Sequence, residues 1–214
     1  MKIHGHPWSI NTRKTLAVVA EKHATVELSL VVLPKGEHKL PAHIALHPFG
    51  KVPVLDDDGF ILYETRAINS YLDKKLPGFS LVPDDPRAMA RAHQWISIAD
   101  SYLIPHAHPL LVELLFRRHL GGEQDRATIV AGRSAILPAL DTADARLAES
   151  PYLAGESFSL ADIHWLPYLD YLTEVGESAP IRERKHLSAW FQRVRDRRAW
   201  QEVAHRGPQP YDAA

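Results

Sequence analysis

Residues 47–72 read HPFGKVPVLDDDGFILYETRAINSYL and hold more potential chemistry than any other stretch of the chain. A Pro48-Phe49-Gly50 turn leads into Val52-Pro53. Two short apolar runs follow, separated by a turn at Gly59, and Glu64-Thr65-Arg66 opens a helical pattern. Proline has no N–H to give a sheet ladder. With a cis bond ahead of it, the backbone N–H and C=O of Val52 would turn outward, and an extended peptide could add to them as a further strand. Glu64 and Thr65 would bring a carboxylate and a hydroxyl to the neighbouring helix start. The combination suits a small peptide that carries an amine and carboxylates.

The chain has no cysteine, so any sulfur chemistry must use a thiol supplied by a ligand. The missing cysteines fit a reducing compartment. Thirteen histidines invite a search for metal ligands. The pairs His4/His6 and His106/His108 join neither an HExxH pattern nor a cysteine pair, so they read as scattered polar residues and no metal is expected. Twenty-five basic and 26 acidic residues give a formal net charge of −1, which argues against a nucleic-acid binder. The opening residues MKIHGHPWS lack the apolar core of a signal peptide, and no apolar run approaches the ~20 residues that span a bilayer. A soluble, cytoplasmic protein is expected.

The elements that must position these residues fall into two parts. Over residues 1–76 the order is β-α-β-α-β-β-α. Lys2-Ile3-His4 reads as a strand. Ser9 and Asn11 are both candidate N-caps for a helix running through Glu21. Val26–Leu33 reads as a second strand, Pro41–Leu46 as a short helix or turn, and a hairpin turns at Asp57-Asp58-Gly59. Ala67, Ile68, Tyr71 and Leu72 fall at helical spacing. Helices on both faces of a small mixed four-stranded sheet follow from this order. Residues 77–86 read as a Pro-rich linker, and residues 87–214 as an all-α domain. Within it, Pro105 and Pro109 predict a kink or an end after a helix over Arg87–Ser101. Pro138 predicts a break near residue 134 of the 126–149 stretch, and further helices are expected over 160–175 and 186–203. Ser159 and Asp162 form a capping box, with Phe158 and Ile163 as its hydrophobic staple. The seven basic residues of Arg182–Arg198 read as a solvated helix face.

Five segments, taken in order, resemble the glutathione transferase superfamily, and within it the phi-type enzymes of plants and their bacterial relatives. They are GHPWSINTRK (5–14), KGEHKLP (35–41), HPFGKVPVL (47–55), LYETRAI (62–68) and YLAGESFSLADIHWLPYLDYL (152–172). The resemblance implies a thioredoxin-like N-terminal domain, an all-α C-terminal domain, glutathione as co-substrate and a homodimer. It places the catalytic serine at Ser9, which read by itself is first a helix cap. A serine hydroxyl beside a ligand thiol would favour the thiolate by donating to it, and the adjoining helix N-terminus would help; Thr12, one turn on, is an alternative donor. By the same resemblance His38 and Lys39 hold the glycine carboxylate of glutathione. Val52 pairs with its cysteinyl part, Pro53 is the cis-proline, and Glu64 and Thr65 grip the γ-glutamyl end. Lys51 stands where the phi pattern has glutamine, adding a charge. Trp8 offers aromatic substrates a stacking face. The electrophile pocket is expected between the domains, lined by Trp8, Leu33, Tyr102, His106 and Leu110. Conjugation to a hydrophobic electrophile is the implied activity, and a non-catalytic glutathione carrier or docking protein of the same fold is the alternative.

Overall fold

The computed structural model describes residues 1–117 and 122–207. The chain divides into two units: residues 1–80 with the described residues from Arg197 on, and residues 81–196.

The first unit is built on a four-stranded sheet of order β2-β1-β3-β4. Its strands are β1 (Lys2–Gly5), β2 (Glu27–Leu30), β3 (Val54–Asp57) and β4 (Phe60–Tyr63). The β1/β2 pair is parallel and the other two pairs are antiparallel, so the sheet is mixed as expected. Between β1 and β2 runs α1 (Ile10–Glu21), and after β4 comes α3 (Thr65–Lys75). Strand alternation sends Ile3 and Gly5 to the face that carries α1. There a Cβ on Gly5 would stand 2.6 Å from Thr12 Oγ1, so only glycine permits this approach. His4 points to the opposite face, where it feels the charge of His43 in α2 (Pro41–Ile44). Ile3, Val18, Leu55, Ile68 and Leu72 are fully buried and make the core of this unit. At the hairpin, Asp58 and Gly59 both have positive φ (53° and 91°), as a two-residue primed turn requires, and Asp56 Oδ1 accepts the Gly59 N–H at 2.8 Å.

Strand β2 stops at Leu30, short of the expected Leu33. The Glu37 carboxylate takes the Val32 N–H at 2.6 Å, and Leu33–Lys35 turn into a 3-10 helix, so this backbone is withdrawn from the ladder.

The second unit is helical: α4 (Pro86–Ile98), α5 (Ile104–Leu111), α6 (Arg126–Ala135), α7 (Leu137–Leu147), α8 (Leu160–Glu174), α9 (Ala179–Arg182) and α10 (Lys185–Arg195). Helix α8 is its axis, buried at every position from Leu160 to Leu172. The expected capping box is present. Asp162 Oδ2 accepts from Ser159 N at 2.9 Å, while Ser159 Oγ accepts from Ala161 N at 3.2 Å. Asp162 Oδ1 also takes Leu153 N at 3.0 Å and Trp190 Nε1 at 2.8 Å. The predicted break near residue 134 falls at Ile136, between α6 and α7.

Two expectations are corrected here. Of the expected kink or end at Pro105 and Pro109, the end does not occur: the chain stays helical through both. Wide π turns at Ala99–Leu103 and Val112–Arg117 bracket α5, and Ile104 N–H reaches back five residues to Ala99 O. A widened turn gives a proline ring room that the regular spiral denies it. The helix expected over 186–203 is instead two helices, α10 and α11 (Arg198–Ala204), and α11 packs along α1 in the first unit. Arg197, between them, forks onto Glu21 at 2.5 and 2.6 Å.

The basic run over 182–198 is not a bare solvated face. Arg184 pairs with Asp141 at 2.7 Å, Arg195 with Asp170 at 3.2 Å and Arg197 with Glu21.

Candidate active site

Ser9 closes the loop between β1 and α1. Its N–H donates to His6 O at 2.8 Å. Its backbone is extended (φ −78°, ψ 126°), and Oγ accepts the Thr12 N–H at 3.3 Å, so Ser9 is the N-cap of α1. The first turn of α1 carries no acid. Accepting leaves the hydroxyl proton uncommitted, and no acceptor for it occurs among the described residues. A half-buried O–H donor thus sits at the positive end of a 12-residue helix. Thr12, the alternative donor, is fully buried beneath Gly5.

The Val52-Pro53 peptide bond is cis. The β3 ladder begins only at Val54, and among the described residues no hydrogen bond engages the Val52 backbone. The preceding carbonyl is held: His43 Nε2 lies 2.8 Å from Lys51 O. His43 belongs to a histidine pair at helical spacing, with His47 N–H donating to His43 O at 2.9 Å. His47 is 2% exposed and stacks on Tyr63 at 4.7 Å between ring centroids. The i, i+4 spacing of His43 and His47 was the available signal for this support, and motif reading passed over it.

Glu64 is the N-cap residue of α3, yet it makes no side-chain cap bond. Its backbone lies at φ 73°, ψ 114°, a region that costs a non-glycine residue about 1–3 kcal/mol. Such strain persists where it aims a side chain. The Glu64 carboxylate is exposed and has no hydrogen-bonded or ion-pair partner among the described residues. Thr65 follows as the first residue of α3, half-buried.

His38, Lys39, His43 and Lys51 form one basic cluster. Gly50 brings it together: a Cβ there would meet His38 O at 2.7 Å and Lys39 Cδ at 3.2 Å, so the 47–50 turn lies against the His38-Lys39 segment. Burial pushes the His38 imidazole down from its ordinary value, and the charges of Lys39, His43 and Lys51 push it further. Burial likewise lowers His47, against a partial opposing pull from Glu64. Lys39 and Lys51, both exposed, bring fixed positive charge to the cluster, while burial favours the neutral form of His38, a donor or acceptor.

The residues expected at an electrophile pocket divide. Trp8 is only 8% exposed, and the Arg206 guanidinium covers its ring at 3.9 Å, so that face is closed to aromatic stacking. Leu33 is half-buried at the start of its 3-10 turn. Tyr102, in the first π turn, and His106 are exposed. Leu110 is fully buried, packed on Gly132 of α6, and presents no surface to a ligand. The π turn at 99–103 shifts the helical phase on which its placement depended.

This fold sets a helix start with a spare hydroxyl proton, an open strand edge at a cis-proline and a partnerless carboxylate at a second helix start in one unit, an arrangement suited to a small charged peptide. Sequence comparison agrees. Residues 1–74 match the profile described as "Glutathione S-transferase, N-terminal domain", and residues 103–197 match "Glutathione S-transferase, C-terminal domain". A glutathione S-transferase of Silene vulgaris is 36% identical over 208 residues, 95% of this chain and 96% of that one. The crystal structure of a glutathione transferase of the F series from Populus trichocarpa superposes with a TM-score of 0.92 at 32% identity, covering 97% of this chain and 99% of that one. A maize enzyme, glutathione S-transferase I in complex with an atrazine glutathione conjugate, superposes with a TM-score of 0.88 at 26% identity, covering 100% and 98%. The chain belongs to the glutathione S-transferase family and is an enzyme of that family, with its likeness to the plant phi type.

Proposed function

We propose that the enzyme conjugates glutathione to a hydrophobic electrophile, with the Ser9 hydroxyl holding the ligand sulfur as a thiolate. A free thiol titrates near 8.5, so only a few per cent is ionised at neutral pH. A hydrogen bond donated to the sulfur and the positive end of α1 both favour the ionised form. Lowering the thiol by about two units is worth roughly 2.7 kcal/mol and makes the thiolate dominant. The thiol proton passes to solvent and the sulfur attacks the electrophilic carbon, forming the C–S bond as a leaving group departs with its electron pair or, on addition to a conjugated double bond, as the π pair moves onto the acceptor and is protonated from solvent.

One observation carries this reading. Ser9 Oγ receives the Thr12 N–H at 3.3 Å and keeps its own proton available, so capping and thiol activation coexist in one side chain. Around it, the cysteinyl backbone would pair with Val52 beside Pro53. The glycine carboxylate would meet His38, Lys39 and Lys51, and the γ-glutamyl ammonium and carboxylate would meet Glu64 and Thr65. No metal has a part in this scheme. The family likeness supports a homodimer working in the cytoplasm, which sedimentation and fractionation would check; no helix among the described residues is long and apolar enough to cross a membrane.

The test follows the thiolate absorbance of bound glutathione through a pH titration. Ser9→Ala is expected to raise the bound thiol by up to about two units and to lower kcat at neutral pH by up to roughly twenty- to thirtyfold, with KM for glutathione little changed. Ser159→Ala, which removes the corresponding cap of α8, should leave the thiol where it is. Identical titrations for wild type and Ser9→Ala would reduce Ser9 to a cap.

A further inference from the structure

Between Gly50 and Val54 the chain is fastened at one point. Gly50 donates its N–H to His47 O at 2.8 Å, and the β3 ladder starts at Val54. Among the described residues, a single hydrogen bond reaches the backbone of residues 51–53: His43 Nε2 lies 2.8 Å from Lys51 O. Pro53 has no N–H to offer a neighbouring strand. A carbonyl can only accept, so the ring donates and Nε2 carries the proton. His43 is 7% exposed. Its own backbone is closed within the turn: the N–H donates to Leu40 O at 3.0 Å, and the C=O accepts from Leu46 and His47 at 3.0 and 2.9 Å. The ring is thus anchored at its base and reaches across to the segment that carries Lys51 and Val52. The same turn lies against the His38-Lys39 segment at Gly50. All of these residues belong to the first unit.

We infer that His43 is a positioning residue for the thiol peptide: its hydrogen bond to Lys51 O holds the unpaired Val52 edge in place for the cysteinyl backbone. This role rests on the proposed pairing of glutathione with Val52. His43 touches no reacting atom, and its effect is on the cost of binding. A segment already ordered in the free protein does not have to be ordered by the ligand, so its lost entropy is not charged against affinity. The contacts it prepares are to the peptide backbone and not to the sulfur, and they are alike in the bound complex and the transition state. Loosening them should weaken binding without slowing the bound complex.

Three substitutions test this. His43→Phe keeps a ring in the turn and removes the donor. His43→Gln keeps an N–H near the position of Nε2, and His43→Asn carries one that stops a methylene short. Each is compared with wild type by calorimetry with glutathione, by KM against kcat, by thiolate titration of bound glutathione and by thermal unfolding. Phenylalanine and asparagine should raise Kd and KM for glutathione about three- to tenfold, the loss of one hydrogen bond. The kcat at saturating glutathione and the bound thiol should stay where they are, and glutamine should restore most of the affinity. If the phenylalanine variant does not fold, asparagine against glutamine gives the same comparison. Equal losses in all variants, no loss in any, or a fall in kcat with KM unchanged would each end the role.

A second ligand separates this role from the pairing it rests on. Glutathione methylated on the cysteinyl amide nitrogen has no N–H there to donate to Val52 O. Wild type should bind it more weakly than glutathione, and His43→Phe and His43→Asn should narrow the gap. If wild type binds the two ligands alike, the pairing with Val52 fails. If wild type separates them and the variants lacking the donor separate them equally well, the pairing stands and the role of His43 alone is lost.

Discussion

Two serines cap two helices here, and they do it differently. Ser159, at α8, is 1% exposed, and its hydroxyl donates to Asp162 Oδ2 at 3.1 Å while Oγ receives a backbone N–H. Its proton is committed. Ser9, at α1, is half-buried, faces no first-turn acid and keeps its proton. A third helix start, at α3, goes further: the Glu64 carboxylate caps nothing and stands on a strained backbone. In the helical unit Asp85, Asp125 and Ser159 cap α4, α6 and α8 with their side chains, whereas the starts of α1 and α3 leave a hydroxyl proton and a carboxylate without partners among the described residues. The same local motif is therefore closed, or left with a spare proton, according to whether a neighbouring acid takes it.

The strongest way to break the closed half of this contrast is Asp162→Ala. Burial pushes that carboxyl up, and its bonds from Leu153, Trp190 and Ser159 pull it back. Removing it strands three buried N–H donors, at an expected cost of about 3–5 kcal/mol. The readout is the urea midpoint. A loss near 1 kcal/mol would mean that α8 is held by its apolar packing alone.

On the open half, Glu64→Ala is expected to weaken glutathione binding by about 2 kcal/mol or more, because the ligand ammonium loses its partner. Stability should change little, since alanine keeps the backbone strain and the carboxylate has no hydrogen bond or ion pair to lose among the described residues. Calorimetry showing unchanged affinity would remove Glu64 from the site.

The smallest expected effect is that of acid. Burial lowers His4, His6, His38 and His47, all in the first unit. Each protonates more readily in the unfolded chain, near pH 6.5, than in the native state. The unfolded form therefore binds more protons as pH falls below that value, and native stability declines with it. Melting temperature should drop by roughly 2–4 °C between pH 7 and pH 5.5. A flat profile over that range would show these rings to be hydrated.

Much of this contrast is written in local sequence. The Ser159/Asp162 box, the Asp58-Gly59 hairpin and the Pro138 break are short-range signals, each decided within a few residues. The Val52-Pro53 step and the Glu64-Thr65 helix start were legible for the same reason. What could not be read depends on partners far along the chain. Nothing near Arg206 says that Trp8 awaits it, nor does the stretch 186–203 reveal that Glu21 will claim Arg197 and split the helix. The two prolines of α5 misled because the breaking rule assumes a regular spiral, and the π turns on either side remove that assumption. Leu110 moved from pocket to core with the same change of phase.

The side chains of Lys22 and Asp73 are both wholly enclosed, their charges 2.7 Å apart, and the ammonium also donates to the carbonyls of Asp73 and Phe79 at 2.9 and 2.6 Å. The end of α1, the last turns of α3 and the chain leaving α3 are thus fastened at one nitrogen. Stripping water from ions becomes less unfavourable as temperature rises, whereas the gain from enclosing hydrocarbon levels off. This fastening should accordingly carry a larger share of the sheet unit's cohesion in a warm cell than in a cold one.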